Sequence, residues 1–126
     1  MIEKEHILAA EPAAVWAIIG DPGRVDWVPG VESCEFDGQV RRFSMAGAGG
    51  LAERIVLLDH DAMRIEYSVV ESTPPLESHL AVIQLEAAEG GTRMRWTTEV
   101  SPSAVEPFIE AGMDGSLVQL EQVLAS

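Results

Sequence analysis

From Val31 to Val100 the chain runs through six stretches in which apolar residues recur every second position. They are Val31–Phe36, Val40–Ala46, Leu51–Asp59, Arg64–Glu71, His79–Ala87 and Thr92–Val100. A period of two is that of a strand with one buried face. The links between the stretches carry turn chemistry: Asp37-Gly38, Gly47-Ala48-Gly49-Gly50, Asp59-His60-Asp61, Thr73-Pro74-Pro75 and Glu89-Gly90-Gly91. A parallel crossover needs about a dozen residues or more, and none of these links supplies them. Consecutive strands must therefore pair as antiparallel hairpins, which excludes a doubly wound α/β fold.

The flanks complete the architecture. Ile2 to Ala9 reads as a further strand, and Pro12–Ile19 as a short helix with proline in its first turn, where the missing N–H costs nothing. Gly20-Asp21-Pro22-Gly23 ends that helix, and Arg24–Val28 has room for a second helix of a turn or two before Pro29-Gly30. The tail from Pro107 to Ala125 spaces Phe108, Ile109, Met113, Leu117, Leu120 and Leu124 as a final long helix, despite Gly112 and Gly115 within it. Each glycine costs about 1 kcal/mol relative to alanine. The expected fold is α+β: a curved seven-stranded antiparallel sheet, two short helices and a long C-terminal helix. The helix is the one large apolar element left to cover the sheet, so a ligand space between them is expected.

Composition narrows the partners. With 126 residues the chain is expected to form a single domain over 1–126. Its 21 acidic and 8 basic residues leave a formal charge of -13, which argues against nucleic acid and against an anionic membrane surface. Cys34 is the one cysteine, so neither an internal disulfide nor a cysteine metal site is expected. His6, His60 and His79 lack ligand spacing, and no metal or cofactor is expected. No apolar run reaches the length of a membrane span and no signal-peptide pattern opens the chain, so a soluble cytoplasmic protein, monomeric or homodimeric, is expected.

The residues Ala10-Glu11-Pro12-Ala13-Ala14-Val15-Trp16, then Asp21 and Trp27-Val28-Pro29-Gly30, resemble the opening of the SRPBCC superfamily. Val40-Arg41-Arg42, Leu51-Ala52-Glu53-Arg54, Arg64-Ile65-Glu66-Tyr67 and Arg93-Met94-Arg95-Trp96 follow the rhythm of its small bacterial, polyketide cyclase/dehydrase-like and START-like members. The resemblance implies a helix-grip fold and a cavity for a hydrophobic molecule such as a lipid, a polyketide or an aromatic metabolite. It does not choose among activities, because this scaffold carries many.

Strand parity selects the candidate ligand-binding residues. Glu53 shares a face with Leu51, Ile55 and Leu57; Tyr67 with Ile65 and Val69; His79 with Ala81, Ile83 and Leu85; Trp96 with Met94, Thr98 and Val100. A carboxylate on such a face must be paired or shift its pKa, so Glu53 is either a ligand or proton-handling group or the partner of Arg41, Arg42 or Arg54. Tyr67 is suited to donate to a ligand or to Glu53. His79, at a strand start after Pro74-Pro75, is read as a residue of the cavity rim rather than an acid–base catalyst, and Trp96 as wall. Arg41, Trp27 near an entrance, and Phe108 and Met113 from the tail complete the set. Three functions fit: a binding protein; a cyclase or dehydratase moving protons through Glu53, Tyr67 and His79; or an interaction protein whose interior is filled by its own side chains.

Overall fold

The hairpin links produce one antiparallel sheet of seven strands in the order β1-β7-β6-β5-β4-β3-β2. The computed structural model describes residues 1–45 and 49–126. Its strands are β1 (Ile2–Leu8), β2 (Val31–Phe36), β3 (Val40–Met45), β4 (Gly49–Asp59), β5 (Arg64–Glu71), β6 (Ser78–Ala88) and β7 (Gly91–Ser101), with helices α1 (Pro12–Ile19) and α2 (Glu106–Ala125). The expected Gly47–Gly50 link is only partly visible: Ala46, Gly47 and Ala48 lie outside the described residues, while Gly49 and Gly50 already belong to β4.

The second short helix expected at Arg24–Val28 does not form. Two hydrogen-bonded turns replace it, Arg24 N–H to the Asp21 carbonyl and Val28 N–H to the Val25 carbonyl. Pro22 and Pro29 bracket too short a segment for a helical nucleus. A single 3-10 turn, Ser103–Val105, leads instead into α2.

β1 joins the sheet beside β7, with Ile2 opposite Thr98 and Leu8 opposite Thr92. At this junction Gly91 has φ +141°, and a Cβ there would lie 2.0 Å from the Leu8 carbonyl oxygen, so no other residue fits. α1 buries Val15, Ile18 and Ile19, and α2 buries Met113, Ser116, Leu117 and Leu120. These meet Ile65, Ile83, Leu85, Met94 and Trp96 from the concave face of the sheet.

Polar contacts fix where α2 lies. Lys4 Nζ reaches Glu110 at 2.6 Å and Asp114 at 3.1 Å, and His6 Nε2 pairs with Glu121. On its other flank Gln119 Nε2 donates to the Asp26 carbonyl at 2.6 Å. The helix is thereby held toward β1 and the loop after α1, leaving the inner side of β3 and β4 uncovered.

β4 carries two register shifts, between Ala52 and Glu53 and between Ile55 and Leu57. The second corrects the parity reading. The extra residue, Val56, puts Leu57 opposite Glu66 and Leu58 opposite Ile65, so Leu57 leaves the face of Glu53 and is 39% exposed. Glu53 and Ile55 stay on the concave side, paired with Val69 and Tyr67.

The gripping face of α2 can be tested with two truncations. Leu120 is fully buried, and Leu120→Ala should lower the unfolding free energy by about 3 kcal/mol. Val118 is 60% exposed two residues away, and Val118→Ala should change it by less than about 0.5 kcal/mol. Denaturant unfolding of both variants checks the assignment.

Candidate functional site

Between the uncovered strands and the first half of α2 lies a cavity of about 630 Å³. All eight residues singled out from the sequence line it: Glu53, Tyr67, His79, Trp96, Arg41, Trp27, Phe108 and Met113. The rest of the wall is mainly apolar, with Phe43 and Met45 from β3, Leu51 from β4, Val69 from β5 and Leu76 from the following loop. An interior filled by its own side chains is therefore not what the chain builds.

Strand register creates the charged feature of the wall. Arg41 on β3 stands directly across from Glu53 on β4. Its Nε donates to Glu53 Oε1 at 2.8 Å, and the two side chains are 5% and 11% exposed. Of the partners considered for Glu53, Arg41 is the one present, whereas Arg42 turns outward to Glu71. Burial pushes the Glu53 carboxyl above the usual range, opposed by the attraction of Arg41. The guanidinium also lies 4.7 Å from the centroid of the Tyr67 ring, and its Nη1 is 3.5 Å from the Pro22 carbonyl.

Tyr67 is buried, and its hydroxyl accepts from Trp96 Nε1 at 3.2 Å, so its recorded partner is Trp96 and not Glu53. Burial, helped by the charge of Glu53, pushes its pKa well above the ordinary phenol value. Trp96 also packs against Trp27, with ring centroids 5.6 Å apart. Trp27, expected near an entrance, is 3% exposed and belongs to the inner wall, and its Nε1–H has no acceptor among the described residues.

His79 is half-buried rather than a free rim residue. The β5–β6 ladder ends at Tyr67 opposite Ala81, and beyond it the side chain of His79 takes over: Nδ1 accepts the Val69 N–H at 3.0 Å. That bond places the imidazole proton on Nε2. Burial lowers the pKa to about 4, so the ring is neutral at pH 7.

At the mouth, Phe108 is 81% exposed at the start of α2, and Gly112 and Gly115 lie along the same edge. A Cβ placed on Gly112 would meet nothing within 4 Å. The two glycines that weaken the helix are thus positions where it borders the cavity. Phe43, Met45, Leu51 and Val69 join the wall beyond the residues expected from the sequence. Their signal was strand parity, since Arg41, Phe43 and Met45 alternate along one face and Val69 shares that of Tyr67. Among the described residues no group of three or more His, Cys, Asp or Glu side chains is placed to hold a metal ion. Among the described residues no helix is long and apolar enough to cross a membrane.

A family model described as "Polyketide cyclase / dehydrase and lipid transport" matches residues 2–125. No functionally curated protein matches the chain. Among solved structures, an uncharacterized protein from Bacillus thuringiensis is similar with a TM-score of 0.87 and 20% identity, covering 99% of this chain and 98% of the other. XoxI from Bacillus cereus gives a TM-score of 0.87 at 21% identity, covering 99% and 95%. Ara h 8.0201 gives 0.78 at 19% identity, covering 98% and 96%. At these identities the likeness extends to the helix-grip fold alone.

Two outcomes are expected from the wall residues. Glu53→Gln or Arg41→Met leaves an uncompensated buried group, and each should cost about 3 kcal/mol. The double variant Arg41→Met/Glu53→Met should fall within about 1 kcal/mol of the native chain, because it removes both desolvation penalties. A double-mutant cycle from denaturant unfolding reads the coupling. For His79, the unfolded chain binds a proton near pH 6.5 that the fold resists until about pH 4. Stability should therefore fall as pH drops through that window, and His79→Asn, which retains an acceptor for the Val69 N–H, should flatten the slope. Comparison of melting temperatures from pH 7 to 4 isolates this component from the carboxylates.

Proposed function

Because this chain belongs to the polyketide cyclase/dehydrase and lipid-transport family of the SRPBCC superfamily, we propose that it holds a small hydrophobic molecule between its sheet and α2. The observation that carries this reading is the cavity itself. Its volume of about 630 Å³ lies within the roughly 300–1,000 Å³ of small-molecule sites, and its wall is mainly apolar. Lipids, polyketides and aromatic metabolites are the ligand classes that such a wall accommodates. The eight residues named from the sequence are the proposed contacts.

The arrangement supports binding over proton transfer. A catalytic carboxylate must be free to exchange a proton with substrate. Glu53 is instead engaged by Arg41, and the Tyr67 hydroxyl is kept protonated by its burial. A cyclase or dehydratase using Glu53, Tyr67 and His79 would have to break the ion pair on substrate entry.

The test is uptake of the neutral, environment-sensitive dye N-phenyl-1-naphthylamine, with native mass spectrometry of the purified protein to show any molecule carried through. Saturable uptake of one dye per chain is expected. Gly112→Leu should weaken it at least tenfold without loss of melting temperature, since leucine fills the border of the cavity and favours the helix by about 1 kcal/mol. Absence of saturable uptake by the native chain would overturn the reading.

A further inference from the structure

The single positive charge of the cavity wall is already used. Among the described residues Arg41 is the one basic side chain in the wall, and it faces Glu53 and the Pro22 carbonyl. The titratable groups around the cavity are Arg41, Glu53, Tyr67 and His79. Arg41 and Glu53 cancel as an ion pair, and Tyr67 and His79 are neutral at pH 7. An entering carboxylate would have to displace Glu53 from Arg41 or meet its negative charge in a poorly screened interior. The formal charge of the whole chain, -13, adds to the barrier.

Three ring donors of the wall have no acceptor among the described residues, Trp27 Nε1–H, His79 Nε2–H and Tyr67 O–H, and the last two stand side by side. The Val69 N–H occupies Nδ1 of His79, so the ring has its proton on Nε2, which donates to no acceptor among the described residues. The Tyr67 oxygen accepts from Trp96, so its own O–H hydrogen is available and likewise has no acceptor among them. The two rings stand beside one another, with centroids 6.2 Å apart and a 39° tilt. Both belong to the same cavity wall. A buried donor without an acceptor is costly, and a ligand oxygen placed between these two would relieve both.

We propose that the ligand is an uncharged apolar molecule bearing a hydrogen-bond acceptor, such as the carbonyl of a ketone, ester or quinone, that His79 Nε2–H and Tyr67 O–H receive this acceptor, and that the cavity rejects carboxylates. The assignment rests on the cavity reading above and narrows it to neutral, acceptor-bearing ligands. It assigns the acceptor to this adjacent pair rather than to Trp27 Nε1–H, the other unpaired ring donor of the wall. The Arg41–Glu53 pair acts as a charge filter, cancelling the positive charge that a fatty acid would need.

Three naphthalenes of closely similar shape separate the possibilities: 2-acetylnaphthalene, with a carbonyl acceptor; 2-ethylnaphthalene, apolar; and 2-naphthoate, an anion at pH 7. Their affinities are read by displacement of N-phenyl-1-naphthylamine. The naphthoate should bind at least tenfold more weakly than the ketone. The preference for the ketone over the ethyl compound should fall about fivefold in Tyr67→Phe and in His79→Asn, the change expected for one neutral hydrogen bond. Both variants are checked for a native-like melting transition, and Leu76→Ala serves as the comparison for wall area alone. Naphthoate binding as tightly as the ketone, or a preference unchanged in both variants, would overturn the proposal while leaving the cavity reading in place. Failure of the dye and all three compounds to bind would remove the cavity reading and this proposal together.

Discussion

One helix cannot cover seven strands. With neighbouring strands about 4.8 Å apart, a seven-stranded sheet is about 29 Å across, whereas a helix with its side chains is about 10–12 Å thick. The sheet must curl around α2 and then either collapse on itself or retain a space. Curling is provided by strand twist and by the two irregularities of β4, and α2 is held to one side by Lys4, His6 and Gln119. The cavity is what remains over β3, β4 and β5. Its existence follows from this mismatch of widths, and its place follows from the side on which the helix is anchored.

The anchoring is largely polar because β1 turns Lys4 and His6 toward α2, where Glu110, Asp114 and Glu121 receive them. Exposed pairs of this kind contribute little to stability. Their value here is directional. The apolar contacts of Met113, Leu117 and Leu120 hold the helix down, and the ion pairs select its position along the sheet. The buried Arg41–Glu53 pair has a different character. It stabilises little for the desolvation it requires. What it does is set the charge of the wall at zero and hold the guanidinium beside Tyr67.

Most of the fold was legible in the sequence because its information is local. Period-two runs and short Gly, Pro and Asp links determine hairpins whatever else the chain does, and the spacing of Met113, Leu117 and Leu120 marks a helical face. The second short helix was misread because room for a turn is not a reason to form one between two prolines. Leu57 was misplaced because a bulge adds one residue without any local sign, and every side chain beyond it changes face. The inward placement of Glu53, Tyr67, His79 and Trp96 followed from parity, and for Glu53 the neighbour that carried it is Ile55, since no register shift falls between those two.

The sequence by itself determined that this chain would make antiparallel hairpins, a covering helix and a concave face carrying a few polar side chains, because hydrophobic period and turn chemistry act within ten or so residues. Only the tertiary structure decided which arginine meets Glu53, that His79 gives up Nδ1 to a backbone N–H, that Tyr67 bonds Trp96, and that Gly112 borders a cavity. These depend on cross-strand register and on the lateral position of α2. Both are set by contacts between residues far apart in the chain, and no local pattern encodes them.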